Sequence, residues 1–130
     1  MKSSRKILAG IVLITVMLSM SAFVFAGDPN DVFSGTLYTS NPFYSAPNGY
    51  AVTTSIYDVD TIGAKVTVYN NGSYTDSKTT GTLTWSHDAT TGTVYGSTYS
   101  SAGTTFKGSH WGSDFDSSPT TWSATSQYSY

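Results

Sequence analysis

The chain has 130 residues, six Lys and Arg against eight Asp and Glu, no cysteine, and 15% aromatic residues. Lys2, Arg5 and Lys6 sit at the N-terminus, so residues 27–130 carry three lysines against eight aspartates, a net charge of −5. Three scattered lysines make no basic patch, which excludes nucleic-acid binding and attachment to anionic lipid by charge. The lack of cysteine excludes a thiol nucleophile, a thiolate metal site and a disulfide scaffold.

The basic start is followed by an almost unbroken apolar run over residues 7–20, and Val24-Phe25-Ala26 then precedes Gly27-Asp28-Pro29. Charge, apolar run and small residues in that order predict a secretory signal peptide over 1–26, cleaved after Ala26. The apolar stretch could just span a bilayer, but no basic stop-transfer cluster follows it. The expected product is one secreted, extracellular domain, 27–130, with no stable membrane insertion after cleavage. Its 104 residues suffice for a modest core.

This part is rich in Thr, Ser, Gly and Tyr, and Thr and Tyr favour strands. Phe33, Gly35 and Leu37 alternate with polar neighbours and predict a first strand. Turn chemistry follows at Asn41-Pro42 and Ala46-Pro47-Asn48-Gly49. Tyr50, Val52, Thr54 and Ile56 share one face of a second strand, which residues 58–63 interrupt. Ala64, Val66 and Val68 share one face of a third. Asn70-Asn71-Gly72 directly after it is a strong hairpin signal, with a short return over 74–78. Further strands are expected over 82–87, 94–99 and 104–110. The last alternates Trp122, Ala124, Ser126, Tyr128 and Tyr130 against polar residues. Seven or eight short strands with no helical period predict an all-β fold, a small antiparallel β-sandwich.

Two Asp-x-Asp pairs, Asp58/Asp60 and Asp114/Asp116, could supply oxygen ligands for Ca²⁺ if brought together. Their order does not match an EF-hand loop, and the alternative is solvated loop aspartates flanking a buried Val59 and Phe115. Such a pair could also serve a glycosidase, but a general acid needs a walled cleft, for which a chain of this length has little material. His87 and His110 are the only histidines, and no G-x-S-x-G elbow is present. Both read as ordinary loop or strand-end residues. No enzyme activity and no cofactor are expected, and a metal is left open. Asn71-Gly72-Ser73 formally matches a glycosylation acceptor, although the hairpin explains Asn-Gly.

The aromatic residues are the most functional-looking material. Trp85, Trp111 and Trp122 are expected to divide between core and surface. Tyr57, Tyr69, Tyr95 and Tyr99 are the candidate ligand-binding residues, a stacking platform for sugar rings or a partner peptide.

Residues 55–71 resemble the central part of lactococcin 972-type bacteriocins. The resemblance lies in Ser55 and Tyr57, a short insert, and the alternating Ala64-Lys65-Val66-Thr67-Val68 that ends in Asn70-Asn71. A Thr-rich strand with Trp85 follows, and the chain closes on Tyr128 and Tyr130. The resemblance implies a small secreted β-sandwich with antibacterial action through a cell-wall precursor. No binding residue is carried over from it. The resulting expectation is a secreted, non-catalytic binding protein acting at a cell surface, with a cell-wall precursor, a polysaccharide or a surface protein as partner. A self-assembling matrix protein and a carbohydrate-binding domain are the alternatives.

Overall fold

The computed structural model describes residues 21–27, 32–42, 45–97, 102–116 and 121–130. Tyr99, the cleavage-flanking Asp28 and the apolar run over residues 7–20 lie outside them. The strands are β1 (Ser21–Gly27), β2 (Phe33–Ser40), β3 (Asn48–Asn70), β4 (Ser73–Thr90), β5 (Val94–Tyr95), β6 (Thr104–Ser113) and β7 (Thr121–Ser129). Every ladder is antiparallel, and the order is β1-β2-β3-β6-β7 with β4 and β5 also paired to β3. The expected all-β antiparallel fold is therefore present. It is built from one continuous sheet folded over on itself, and β1 and β7 approach closely enough nearly to close a barrel.

The folding-over happens inside β3. The segments expected as two strands separated by residues 58–63 are one strand of 23 residues. Its first half pairs with β2 and its second half with β6. Thr53 Oγ1 donates to the carbonyl of Gly63 at 2.8 Å, although ten residues of straight strand would separate them by about 33 Å. A large bulge makes this bend possible. Between Thr54 and Val59 the register shifts, so that residues 55–58 stand opposite His87 alone. The segments 74–78 and 82–87 likewise merge into β4, with a second shift where Thr80 and Gly81 oppose Ala64 and Gly81 takes φ +67°.

The hairpin expected at Asn70-Asn71-Gly72 is present. Asn71 (φ +48°) and Gly72 (φ +80°) connect the paired Asn70 and Ser73, the double positive φ of a type I′ turn. Of the strand expected over 94–99, residues 94–97 are described, and among them Val94 and Tyr95 pair with Gly49 and Asn48.

The core contains Phe33, Leu37, Ala51, Ile62, Ala64, Val66, Val68, Val94, Phe106 and Trp122. In the first half of β3 the inward face is Gly49, Ala51 and Thr53, while Tyr50, Val52, Thr54 and Ile56 form the less buried one. The small face turns inward because large side chains from other strands fill the space. A Cβ on Gly49 would come within 3.0 Å of the Phe106 ring. Phe33 of β2 and Trp122 of β7 stack with centroids 5.5 Å apart across the interior.

Ser21–Gly27, within and just after the segment read as a signal, pair with Gly35–Ser40 and Ser34 of β2, and Val24 packs against the core.

Candidate functional site

The bulge that bends β3 also assembles the most conspicuous exposed cluster. Ile56 and Tyr57 come from the four extra residues of β3, Trp85 and His87 from the facing part of β4, and Phe115 from the turn after β6. Ile56 is 72% exposed, Trp85 75% and Phe115 69%. Large apolar side chains left in water at one end of a small domain point to a contact surface.

The backbone here is held firmly. Tyr57 donates its hydroxyl to Asp114 Oδ2 at 2.6 Å, and Asp114 itself is buried. Asp60 Oδ2 accepts the Phe115 N–H at 2.8 Å, tying the β6–β7 turn to the bulge. Asp114 Oδ1 accepts the Asp116 N–H at 3.2 Å, and Ser55 Oγ donates to the Tyr57 carbonyl at 2.6 Å. Trp85 sits at φ +51°, a left-handed conformation costing a bulky residue about 1–3 kcal/mol. The strained backbone and the exposed indole occur at the same residue.

His87 Nδ1 and Asp58 Oδ1 are 2.8 Å apart on this end. The hydrogen bond and charge of Asp58 raise the His87 pKa above 6.5, outweighing slight desolvation. Both partners are well exposed, so the pair is a pH-sensitive surface feature and contributes little to stability.

Of the two Asp-x-Asp pairs, Asp60 alone reaches the other, through the N–H of Phe115 that lies between Asp114 and Asp116. Their oxygens are engaged differently: Asp60 and Asp114 hold backbone and tyrosine donors, and Asp58 holds His87. Among the described residues no group of three or more His, Cys, Asp or Glu could hold a metal ion. Val59 is buried as expected, whereas Phe115 is exposed, because its backbone is pinned to Asp60 at the rim.

Among the described residues, the candidate tyrosines Tyr57, Tyr69 and Tyr95 do not form one platform. Tyr57 belongs to the bulge end. Tyr69 lies on the solvent face of the second half of β3, with Lys107 Nζ 5.1 Å from its ring centroid. Tyr95 is 56% exposed on β5, which pairs with the opposite end of β3. Sequence periodicity missed Ile56, Trp85 and Phe115. The exposure of Ile56 and Trp85 follows from a register shift and a left-handed residue, neither of which alternates.

His110 is no strand-end residue. It is 1% exposed and central. Because Thr53 Oγ1 donates its one proton to Gly63, it accepts from His110 Nδ1 at 3.0 Å. His110 Nε2 then accepts from Ser126 Oγ at 2.9 Å. The imidazole is a neutral, fully bonded strut. Burial lowers its pKa to about 4, against the opposing pull of a Val52 backbone hydrogen bond.

Comparison with protein-family models, curated proteins and solved structures finds no match for the chain. Among the described residues no helix is long and apolar enough to cross a membrane.

Proposed function

We propose that this protein is a secreted, non-catalytic binding protein that acts at a bacterial cell surface through its bulge end, in the manner of a bacteriocin. One observation carries the reading: Ile56, Trp85 and Phe115 stand in solvent on a rigidly bonded end, one of them on strained backbone. Buried aromatic anchors dominate binding energy at interfaces, and an anchor held in place before contact loses less entropy on binding. The signal-like N-terminus supports export, and the resemblance of residues 55–71 to lactococcin 972-type bacteriocins supports an antibacterial role, with a cell-wall precursor as the target.

The matrix-protein alternative draws on β4, which pairs only with β3 among the described residues and so leaves an outer edge open. That edge is interrupted by register shifts and carries Asp76 and Lys78, devices that discourage edge-to-edge pairing. The binding reading is therefore the stronger.

The test is to spot purified protein in dilution on lawns of several Gram-positive bacteria, beside heated protein and the folded double variant Ile56→Ser/Trp85→Ser. Clear zones that disappear with heating and with the double variant are expected. Zones of undiminished size from the double variant would remove the bulge end from the mechanism. No zone from folded protein across the panel would remove the antibacterial reading.

A further inference from the structure

The solvent face of the sheet formed by β4, the second half of β3, β6 and β7 is a separate surface. Strand register places its side chains in rows across the four strands. One row is Thr84, Thr61, Ser113 and Thr121; the next is Thr82, Gly63, Trp111 and Ser123. Beyond them come Thr79, Lys65, Ser109 and Thr125, then Ser77, Thr67, Lys107 and Gln127, and finally Tyr74, Tyr69, Thr105 and Ser129. Cross-strand hydrogen bonds confirm the shared face: Thr61 with Ser113, and Thr105 with Ser129.

Three features of this face point to one ligand chemistry. The partly exposed Trp111 lies across Gly63, where any Cβ would collide with its indole, and Nε1 donates to Thr82 Oγ1 at 3.1 Å. That hydrogen bond spans two strands and fixes the ring. Tyr69 and Tyr74 pack edge to face three rows away, with centroids 6.4 Å apart. Successive rows lie about 7 Å apart, so the rings delimit a track about 20 Å long. Hydroxyls of Ser and Thr fill the track between them.

Charge supplies the third feature. In a chain with net charge −2, these rows hold Lys65 and Lys107 and no carboxylate. Asp76 pairs with Val68 and so belongs to the opposite face, and Asp58, Asp60 and Asp88 lie at the bulge end.

We infer that this face binds an acidic polysaccharide, with a pyranose ring stacked on Trp111, ring hydroxyls on the Ser and Thr ladder, and carboxylates beside Lys65 and Lys107. Aromatic rings favour the apolar faces of sugars, and fixed hydroxyls exchange hydrogen bonds with them. Two lysines are too few to hold a polyanion alone, but they favour an acidic chain over a neutral one of the same shape. The site is distinct from the bulge end and does not depend on it.

The test titrates the full chain with polygalacturonate, alginate and hyaluronate, following tryptophan fluorescence and retardation in polysaccharide-containing native gels. Fully methyl-esterified polygalacturonate serves as the neutral control. At least one acidic polymer should bind, more weakly at high salt, and the methyl ester should bind less. Trp111→Ala should weaken binding about tenfold or more, which corresponds to about 1.4 kcal/mol. Lys65→Gln/Lys107→Gln should abolish the preference for the acidic form while stacking persists, and Ile56→Ser/Trp85→Ser should change nothing. The inference is overturned if the folded protein binds none of the acidic polymers, or if Trp111→Ala binds as well as the parent.

Discussion

The imidazole of His110 on β6 occupies the space directly over Gly35 on β2, so that a Cβ at residue 35 would collide with the ring. The two halves of the folded sheet meet at this contact. Gly35→Ala must displace either a ring bonded at both nitrogens or a central strand. The expected loss is about 1–3 kcal/mol, typical of an overpacked core. It should appear as a lower urea midpoint with an unchanged slope. Gly27→Ala, which meets nothing within 4 Å, is the control.

Acid should destabilise the fold through the same ring. His110 titrates at about 4 when folded and near 6.5 when unfolded. As pH falls below 6.5 the unfolded chain takes up a proton that the folded chain refuses. Stability is therefore complete above 6.5 and declines down to about pH 4, by about 3 kcal/mol. His110→Gln, less stable at neutral pH, should show a flatter profile across that window in parallel denaturation series.

His87 should behave in the opposite sense. Its pKa is raised by Asp58, so the attraction is complete below pH 6.5 and is lost as pH rises through the raised value. A proton NMR titration should place the His87 midpoint above 6.5, and Asp58→Asn should bring it down. A midpoint unmoved by that substitution would mean the pair does not persist in solution.

At Trp85 strain and side chain can be separated. Both Trp85→Ala and Trp85→Gly remove the indole, but only glycine adopts φ +51° without a steric penalty. The glycine variant should be more stable than the alanine variant by about 1 kcal/mol. Both should lose antibacterial action equally if the indole is the anchor.

At the Asn71–Gly72 turn, Gly72→Ala places a methyl group at φ +80° with open space around it. The cost is conformational, about 1 kcal/mol, and should lower the melting temperature without altering the surface that carries Trp111.

Much of this architecture was legible in local pattern. Alternation located Phe33 and Leu37, the Ala64–Val66–Val68 face and the Trp122 strand, because a period of two survives wherever a strand is straight. Asn71-Gly72 specified its own turn, since few residues tolerate two positive φ angles in succession. The pattern misled at residues 50–56, where the bulkier set of side chains is not the buried one. Large side chains from other strands, such as Phe106 over Gly49, fill the space inside, and only the tertiary contact reveals it. Isolated glycines in alternating strands, Gly35 and Gly63 among them, were local signs that something lies close across the backbone.

The sequence by itself determined the all-β class, the hairpin, the absence of cysteine chemistry and the surplus of aspartate. Each of these follows from residue type or near-neighbour spacing. The tertiary structure alone decided that β3 is one bent strand, that His110 is buried and neutral, and that Trp85 and Trp111 are displayed on different surfaces. Those outcomes depend on contacts between residues far apart in the chain, such as Thr53 and His110 or Trp111 and Thr82. Neighbouring residues along a strand carry no information about which distant side chain will occupy the space above them.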